Sequence, residues 1–600
     1  MYQGLNLSRR GLALVLILFC LPLFVGLRSL DLETDEAIYS FGVERILVDG
    51  QWMQPKSSPS DTAVFLEKPP LKFWIVAGPI KLGLLPNDEF GLRFWDAVMG
   101  AIAFAYVFAI GSRLAGPVCG GVAVLLLFVH TPLIFDHGLR TNNMEGALFL
   151  AYCGGVFHFL EWGGARETKR GRHAILAGLY FVLGFMTKFV AIAFLPVVAG
   201  LGALLVPATR RRLWADRGRW LGVGALALAL ILPWFVYAWL VFGSEVLHIM
   251  LMEHVVARFG PGLVAEHAHP FWWYVETMWL MLTWSHAEWL VAAGLVVLLA
   301  QSVRRWWFEG LVVSLWAVLP LVAISFGTSK LYHYAYPFLP PLMLGAGYLA
   351  ALVMMLAPVV LRRVLEGVED QVARLWPGAR TLAARPSVQR WALVVTIAAA
   401  TLATWALLAG QARLQIGHTM LFKSNGVVRP IAMIVLVALL ARRSARIAVL
   451  IVALAVAWVM PVDAYKAALR QLTLEKHPLR DVTDCIARVE REVSPGASLG
   501  LFVDSDSSMW HPITFYFRRI SPWTRQERPS VPGLAATLSG PSVKPSLVQE
   551  LRYRDYLNGP ERALLGQGQT PPMIGLYEYA LLLPGPFRAC SPEAGLPPLD

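Results

Sequence analysis

Residues 11–39 read GLALVLILFCLPLFVGLRSLDLETDEAIY, a continuous apolar segment followed directly by an acidic one. A membrane-spanning helix needs about 20 mostly apolar residues, and residues 11–29 meet that requirement. No small-residue cleavage site follows them, so we expect a retained helix and not a cleaved signal peptide. Four carboxylates then lie within six residues, from Asp31 to Glu36, where the helix would leave the membrane. The stretch predicts a membrane protein with an acidic segment at the membrane surface.

The composition of the whole chain agrees with that prediction. Of its 600 residues, 56% are hydrophobic and only 15% are charged, whereas soluble domains carry about 25% charged residues. A soluble globular enzyme, a disordered protein and a disulfide scaffold are therefore excluded, the last because the chain holds only five cysteines. The net charge of +12 is attributed to arginine-rich cytoplasmic loops, so no nucleic-acid partner is expected.

Apolar windows of similar length recur along the chain and predict a polytopic α-helical membrane protein with about thirteen spans. The windows are 11–29, 93–113, 115–135, 143–161, 174–189, 190–207, 220–242, 288–303, 310–327, 336–357, 391–410, 428–441 and 447–461. Lys188 lies in the middle of the apolar run 174–207, which favours a tight hairpin over one kinked span. With a cytoplasmic N-terminus, every short arginine cluster falls on the cytoplasmic side. We therefore expect a multi-pass protein of the cell inner (plasma) membrane.

This topology places loops 30–92 and 243–287 and the tail on the outer, periplasmic side. The tail alternates helix-like and strand-like stretches separated by proline and glycine turns. We expect a membrane domain over residues 1–461 and a small periplasmic α/β domain over 462–600. Cys485 and Cys590 both lie in the tail, where a disulfide between them and two unrelated free thiols are both possible.

Charged residues beside membrane helices carry most of the functional information. Each costs about 2.5–3.5 kcal/mol at a helix centre, so those retained usually have a function. Five polar clusters fall on the predicted outer side, at residues 31–36, 65–71, 140–146, 253–274 and 329–337. Solvated loops, interfacial ion pairs and aromatic anchors would explain most of them. Glu145, about one turn inside an apolar helix, is the hardest to explain as a surface residue.

Each cluster also has a functional interpretation. The acidic segment would supply a catalytic base or a metal ligand, and Lys68 or Lys330 would contact a lipid phosphate. The three histidines His254, His267 and His269 lie within 16 residues and could bind a metal, although a wet loop with incidental histidines is equally compatible.

Several of these motifs occur together in one known superfamily. In chain order they are Asp35-Glu36-x-x-Tyr39, Gly50-x-Trp52, Glu67-Lys68-Pro69-Pro70, Arg93-Phe94-Trp95, Arg140 with Glu145, Glu253-His254, and Ser329-Lys330-x-x-x-Tyr334-x-x-Pro337. Their order and spacing resemble the GT-C membrane glycosyltransferases, in particular bacterial 4-amino-4-deoxy-L-arabinose lipid A transferases and dolichyl-phosphate-mannose protein mannosyltransferases. The chain departs from the pattern at Glu145, where aspartate is commoner, and at Ile38, where some relatives have arginine.

The resemblance implies a GT-C fold and an inverting transfer of a sugar from a polyprenyl phosphate to an acceptor hydroxyl or phosphate. The acceptor would be lipid A or another envelope glycolipid, and no nucleotide cofactor would be needed. It implies the following roles: catalytic residues Asp35, Glu36 and Glu145, with Asp35 as general base; donor-phosphate contacts Lys68, Arg258, Lys330, Tyr334 and Tyr39; and a divalent ion, zinc or manganese, at Glu67, His254 and His267.

Three alternatives remain at this point. A protein O-mannosyltransferase-like enzyme would differ only in taking a protein acceptor, and no motif in the sequence identifies the acceptor. A lipid-linked-sugar flippase or another transporter would carry charges in both halves of the membrane. A sensor that binds a ligand with its tail would leave Glu145 and the pair Asp35–Glu36 without a role. The concentration of charge on one side favours the enzyme.

Overall fold

The computed structural model describes most of the membrane part and selected segments of the tail. The described residues are 9–56, 64–164, 167–257, 267–375, scattered positions between 378 and 394, 412–416, 419–424, 461–475, 477–492, 499–502, 510–517, 523–526, 546–549, 573–576 and 579–582.

Helices form almost all of the described membrane part. They are α1 Arg9–Val15, α2 Thr34–Asp49, α3 Leu71–Lys81, α4 Glu89–Ala115, α5 Pro117–Val129, α6 Thr131–Phe135, α7 Glu145–Gly164, α8 Glu167–Lys188, α9 Phe194–Leu205, α10 Pro207–Ala215, α11 Arg217–Phe242, α12 Glu245–Leu247, α13 Trp273–Thr283, α14 Glu288–Arg305, α15 Phe308–Ser325 and α16 Leu339–Leu375. Short π-helical or 3-10 turns occupy Leu16–Cys20, Leu21–Phe24, Phe189–Ile192, His248–Val256 and Tyr332–Phe338.

Within the described residues, five helices are long and apolar enough to cross a membrane. They are Glu89–Ala115, Glu167–Ile192, Arg217–Phe242, Phe308–Ser325 and Tyr332–Leu356, and the bent pair Phe194–Leu205 with Pro207–Ala215 is a possible sixth. The chain is a polytopic helical membrane protein, as predicted. The predicted number of thirteen spans stays a prediction, because the windows 391–410, 428–441 and 447–461 lie almost entirely outside the described residues.

Several predicted spans are interrupted. The first, 11–29, leaves α-helical geometry at Leu16 and ends in a 3-10 turn that contains Pro22, which cannot donate a backbone hydrogen bond. The window 115–135 is divided between α5 and α6 at His130. The run 174–207 forms two helices, and Phe189 at the break between them has a φ of +52°, in the left-handed region that few non-glycine residues adopt. The hairpin over this run stays a prediction.

A second apolar core lies beneath α2 and contains residues from the tail. Phe41 of α2 and Phe73 of α3 are buried there together with Ile513, Phe515 and Tyr516. The rings of Phe41 and Phe515 are 5.4 Å apart in an edge-to-face arrangement. The tail therefore packs directly on the helix that carries the acidic motif.

The tail contains helices and a mixed sheet. Its elements are α17 Pro461–Leu472, α18 Pro478–Glu492, β3 Leu499–Phe502, α19 Trp510–Phe517, β4 Trp523–Gln526, β5 Ser546–Gln549, β6 Met573–Leu576 and β7 Tyr579–Leu582, while β1 Ala412–Ile416 and β2 Thr419–Ser424 form a separate antiparallel pair. The strand order is β4-β3-β5-β7-β6, with β3 parallel to β4 and β5, and β7 antiparallel to β5 and β6. The described segments of the tail contain both helices and strands, as the alternation of helix-like and strand-like stretches predicted.

A polar junction fastens the tail to the start of α2. The carboxylate of Asp31 accepts hydrogen bonds from the backbone N–H groups of Leu479 (2.6 Å) and Arg480 (3.3 Å) at the N-terminus of α18. Arg480 reaches Glu89 at 3.3 Å, and the hydroxyl of Tyr516 donates to the same carboxylate at 2.9 Å. Helix N-termini favour carboxylates, so the Asp31 contact suits its partner.

The cysteines divide between the two parts of the chain. Cys20, Cys119 and Cys153 are buried free thiols in the membrane part. Cys485 on α18 is disulfide-bonded. Cys590 lies outside the described residues, so the pairing of Cys485 with Cys590 stays one of the two possibilities.

Candidate active site

The site is built around a buried ion pair between α2 and α4. Glu36 is fully buried, and its two carboxylate oxygens accept from Arg93, with Nε–Oε1 at 2.8 Å and Nη2–Oε2 at 2.6 Å. The backbone N–H of Asn142 donates to Oε1 at 2.7 Å. Burial raises the pKa of Glu36, but the Arg93 guanidinium and these hydrogen bonds outweigh burial and hold the pKa below its usual value. Glu36 is therefore a charged anchor.

The remaining donors of Arg93 hold the chain between the first helix and α2. Its Nη1 donates to the carbonyl oxygens of Leu27 (3.0 Å) and Leu30 (2.8 Å), and its Nη2 donates to that of Asp31 (2.9 Å). The planar guanidinium has the fork of donors that such a set requires, and lysine lacks it. One side chain thus fixes the path that leads into the acidic motif.

A second buried ion pair lies next to the first. Lys72 Nζ is 2.7 Å from Asp96 Oδ2 and 2.9 Å from Asn142 Oδ1, and both charged side chains are almost completely buried. Asn142 also donates to the Ser40 hydroxyl at 3.1 Å. Neither Lys72 nor Asp96 was predicted to belong to the site. Their place inside apolar helices, the signal that drew attention to Glu145, would have identified them.

Asp35 differs sharply from its neighbour Glu36. It lies in the first turn of α2, and 39% of its side chain is exposed. Its Oδ2 is 3.6 Å from Nδ1 of His137. Helix α2 turns successive residues by about 100°, so one carboxylate faces the core while the next faces the open side. The arrangement leaves Asp35 accessible to a reacting hydroxyl.

A line of charged and aromatic side chains runs from Asp35 to Glu145. The ring of His137 stacks on that of His333, with centroids 4.5 Å apart and planes inclined by 21°. His333 Nε2 is 3.5 Å from Glu145 Oε1, which also pairs with Lys188. Glu145 is the first residue of α7 and Lys188 the last of α8, so the antiparallel packing of these helices brings the pair together.

Three more groups complete the surroundings of this line. Lys188 Nζ lies 5.3 Å from the ring centroid of Tyr334, within the range of a cation–π contact. Desolvation raises the pKa of Glu33 to about 7, with the carboxylates of Glu36 and Asp136 adding to the effect. Burial likewise raises the pKa of Asp136. The described part of the site is thus rich in carboxyl groups, and Lys188 and Arg93 are two of the cations paired with them.

The two lysines predicted to contact the donor phosphate, Lys68 and Lys330, have different environments. Lys68 is largely buried, and its Nζ is 3.7 Å from Oε2 of the more exposed Glu67. Lys330 is only 1% exposed, and its Nζ donates to the carbonyl oxygens of His269 (2.8 Å) and Gly327. Burial lowers the pKa of Lys330. Lys330 therefore ties two loops together through backbone carbonyls.

Three further residues were predicted to belong to the site: Tyr39, Arg258 and His254. The ring of Tyr39 packs against those of Phe65 and Phe73, with centroids 6.0 and 6.2 Å away. Arg258 lies outside the described residues, and the side chain of His254 is likewise not described.

No metal centre is found in the part of the chain that the structure describes. Within those residues, no group of three or more His, Cys, Asp or Glu side chains is placed to hold an ion. His267 is half-buried, and its carbonyl oxygen accepts from the backbone N–H of Lys330 at 2.8 Å. The metal set Glu67, His254 and His267 stays a prediction.

The structure thus joins Asp35, Glu145 and Tyr334 through three residues that the sequence analysis did not assign to the site. Lys188 was noticed only for its position in an apolar run. His333 belongs to the cluster 329–337 but was given no role, and His137 carries no sequence signal, because single histidines near membrane surfaces are compatible with ordinary loops.

Comparison with known proteins gives one family match and several curated relatives. The family model of dolichyl-phosphate-mannose-protein mannosyltransferases matches residues 67–237. An undecaprenyl phosphate-alpha-4-amino-4-deoxy-L-arabinose arabinosyl transferase of Pseudomonas aeruginosa is 28% identical over 354 residues, which is 57% of this chain and 59% of that protein. One from Sodalis glossinidius is 26% identical over 337 residues, 56% of this chain and 57% of that protein. The matches span less than two thirds of these relatives.

Solved structures extend the likeness to nearly the whole chain. ArnT from Cupriavidus metallidurans, bound to undecaprenyl phosphate, superposes with a TM-score of 0.58 at 17% identity and covers 96% of this chain and 97% of its own. The oligosaccharyltransferase AglB of Archaeoglobus fulgidus reaches a TM-score of 0.50 at 12% identity, with 93% and 71% covered. At these identities the likeness concerns the fold. The predicted resemblance to GT-C membrane glycosyltransferases of the arabinose transferase type is confirmed.

Proposed function

We propose that this chain, which resembles the GT-C arabinose transferases, is an inverting glycosyltransferase that uses a polyprenyl-phosphate-linked sugar. The observation that carries the proposal is the contrast between two adjacent carboxylates. Glu36 is locked to Arg93 in the core, and this anchor presents Asp35, half-exposed, beside a polar cluster. A carboxylate held in place at an open face is what a general base for a hydroxyl needs.

In the proposed reaction one bond forms, one bond breaks and one proton moves. The acceptor oxygen attacks the anomeric carbon from the side opposite the lipid phosphate, which inverts the configuration. The bond from the anomeric carbon to the phosphate oxygen breaks, and its electron pair goes to the phosphate. The acceptor hydroxyl passes its proton to Asp35.

The growing negative charge on the leaving phosphate calls for nearby cations. We propose Lys68 and Arg258 for this role, with Tyr334 and Tyr39 as contacts to the donor. Because Lys330 already donates to two carbonyl oxygens, we propose that it shapes the donor site by holding its loops. We assign Glu145, paired with Lys188, to fixing the mouth of the site.

We keep a divalent ion, zinc or manganese, as a separate proposal. Glu67 and His254 would hold it, with His267 as a third ligand, and the ion would polarise the donor phosphate. Carboxylate and imidazole ligands suit both metals. No step of the mechanism above passes through this ion, since the described residues form no ligand set.

The proposed location is the inner membrane with the N-terminus in the cytoplasm. Arg113 and the arginines that precede α11 then lie inside, and Asp35 faces the periplasm. Residues 462–600 form the proposed periplasmic α/β domain above a membrane domain of about thirteen spans.

For the acceptor we propose lipid A or another envelope glycolipid, because the curated relatives named above carry out arabinose transfer. A protein acceptor is the second candidate, and the mannosyltransferase family match over residues 67–237 favours it. A flippase would move the same donor lipid without breaking its phosphate bond.

The test is a transfer assay with purified protein, undecaprenyl-phosphate aminoarabinose and lipid A. We expect transfer by the wild type and a loss of about 100-fold or more in Asp35→Asn, the range of a general base. Asp49→Asn is the matched control, because Asp49 ends the same helix in a peripheral pair with Arg45. Full turnover by Asp35→Asn would refute the base assignment, and donor movement without transfer would favour the flippase.

A further inference from the structure

His137 adopts a strained backbone at the edge of the site. Its φ is +51°, in the left-handed region that few non-glycine residues enter. Such strain costs about 1–3 kcal/mol and persists where the surrounding structure enforces it, often at functional sites. Residue 137 connects α6 to the polar segment before α7, and its backbone conformation directs the imidazole toward Asp35.

The ring of His137 is held from the opposite side. His333 stacks on it at 4.5 Å, and His333 is in turn 3.5 Å from Glu145, which Lys188 holds. Four separate parts of the chain therefore fix the position of one imidazole. These contacts give the imidazole a defined position beside Asp35.

Within the described residues, the charged groups near the two rings come from several separate elements. Asp35 and Glu33 approach from α2 and its N-cap, Asp136 from the same loop as His137, Glu145 from α7 and Lys188 from α8. The Glu36–Arg93 pair lies behind α2. Lys188 is paired with Glu145. Among the residues that the structure describes, His137 is the basic side chain that lies within 4 Å of the Asp35 carboxylate.

We propose that His137, supported by His333, is a positioning residue that orients Asp35 and accepts the proton that Asp35 takes from the acceptor. This inference rests on the proposed transferase function. The proton moves from the acceptor hydroxyl to Asp35, then to Nδ1 of His137 and finally to water, so no other reactant is required. The 3.6 Å separation is closed by rotation of the half-exposed carboxylate or bridged by one water.

His137→Asn tests this role without changing the backbone requirement. Asparagine tolerates the left-handed region better than most residues, but it has no titratable ring. We expect kcat to fall about 10-fold to 100-fold, with KM changed less than about twofold. An imidazole accepts a proton only when it is neutral. Wild-type kcat should therefore fall as the pH is lowered, and the variant should depend less on pH because it has no imidazole at this position.

His286→Asn is the matched control. His286 also has a φ of +51°, but it is an exposed residue between α13 and α14. We expect its kcat and pH profile to equal those of the wild type. His333→Phe keeps an aromatic ring against His137 but removes the contact with Glu145, so we expect a smaller loss of kcat with the histidine-dependent pH profile retained.

The outcomes distinguish failure of the proposed role of His137 from failure of the proposed transferase function. Wild-type kcat in His137→Asn, or a reduced kcat with an unchanged pH profile, overturns the role of His137. Absence of transfer in the wild type and in His286→Asn alike overturns the proposed function, and this inference with it. Monodisperse elution and an unchanged unfolding midpoint of each variant in detergent establish that the comparison concerns folded protein.

Discussion

Replacement of Arg93 by methionine removes the guanidinium and leaves its partners in place. The carboxylate of Glu36, with no exposed surface, loses both charged hydrogen bonds, and the carbonyl oxygens of Leu27, Leu30 and Asp31 lose their donors. Breaking one partner of a buried ion pair costs about 3–5 kcal/mol. Since three carbonyl groups are affected as well, we expect a loss of at least about 3 kcal/mol in the free energy of unfolding.

The loss is measurable by equilibrium unfolding in mixed micelles with increasing SDS. The 22 tryptophans of the chain provide the fluorescence signal. Arg45→Met is the control, because Arg45 pairs with Asp49 on the same helix while both side chains are partly exposed. Exposed pairs contribute about 0.2–1 kcal/mol, so the control should change little.

The pH dependence gives an independent check. The pKa of Glu36 is lower in the folded protein than in the unfolded chain, where it is about 4.3. Its stabilising contribution is therefore complete above that value and is lost as pH falls through the lower, folded pKa. In Arg93→Met, Glu36 keeps its backbone hydrogen bonds but loses the guanidinium, so burial, which favours the neutral form, has more effect on its pKa. The difference between wild type and variant should narrow from pH 7 to pH 4. A difference under about 1 kcal/mol at pH 7, or one that does not narrow, would refute the reasoning.

Three further predictions concern other groups. Burial raises the pKa of Asp31 to about 7, despite opposing hydrogen bonds from α18, so the folded protein retains a proton that the unfolded chain releases near pH 3.9. The contribution of Asp31 to the free energy of unfolding should therefore fall from pH 4 to pH 7. A pH series of unfolding midpoints should show a flatter profile for Asp31→Asn than for the wild type. Lys72→Met should cost about 3–5 kcal/mol by leaving Asp96 buried and unpaired, and the double variant Lys72→Met/Asp96→Leu should recover part of that loss in the same SDS titration, whereas equal losses would contradict it. If an ion is bound at Glu67, EDTA should abolish transfer and added zinc or manganese should restore it, while full activity in EDTA would make the ion dispensable.

The apolar windows predicted most of the membrane helices because burial in lipid requires little more than length and hydropathy. The breaks were less predictable. The break at His130 comes just before Pro132, which lies in the first turn of α6, so proline gave a sequence signal there. Phe189 adopts a left-handed backbone with no proline or glycine at the break, and local sequence preference does not predict it.

The arrangement of the site was also only partly predictable from the sequence. The acidic motif marked Asp35 and Glu36 together, but only the orientation of α2 decides which carboxylate is buried. The stack of His137 on His333 joins residues that the chain separates widely, and no local pattern encodes it. Lys330 had the expected position and yet uses its ammonium on backbone carbonyls, since nothing in the sequence specified its partners.

The polar junction at Asp31 also limits how the chain can be truncated or its tail exchanged. A shortened chain that ends before α18 would lose the N–H donors of Leu479 and Arg480, and it would uncover the apolar face of α2 that Phe515 covers. Chimaeras that exchange tails between relatives would need to exchange the loop from Leu30 to Asp31 and the Glu89 contact as a set. The tail and α2 are therefore coupled through this junction, and a substitution on one side of it constrains the residues tolerated on the other.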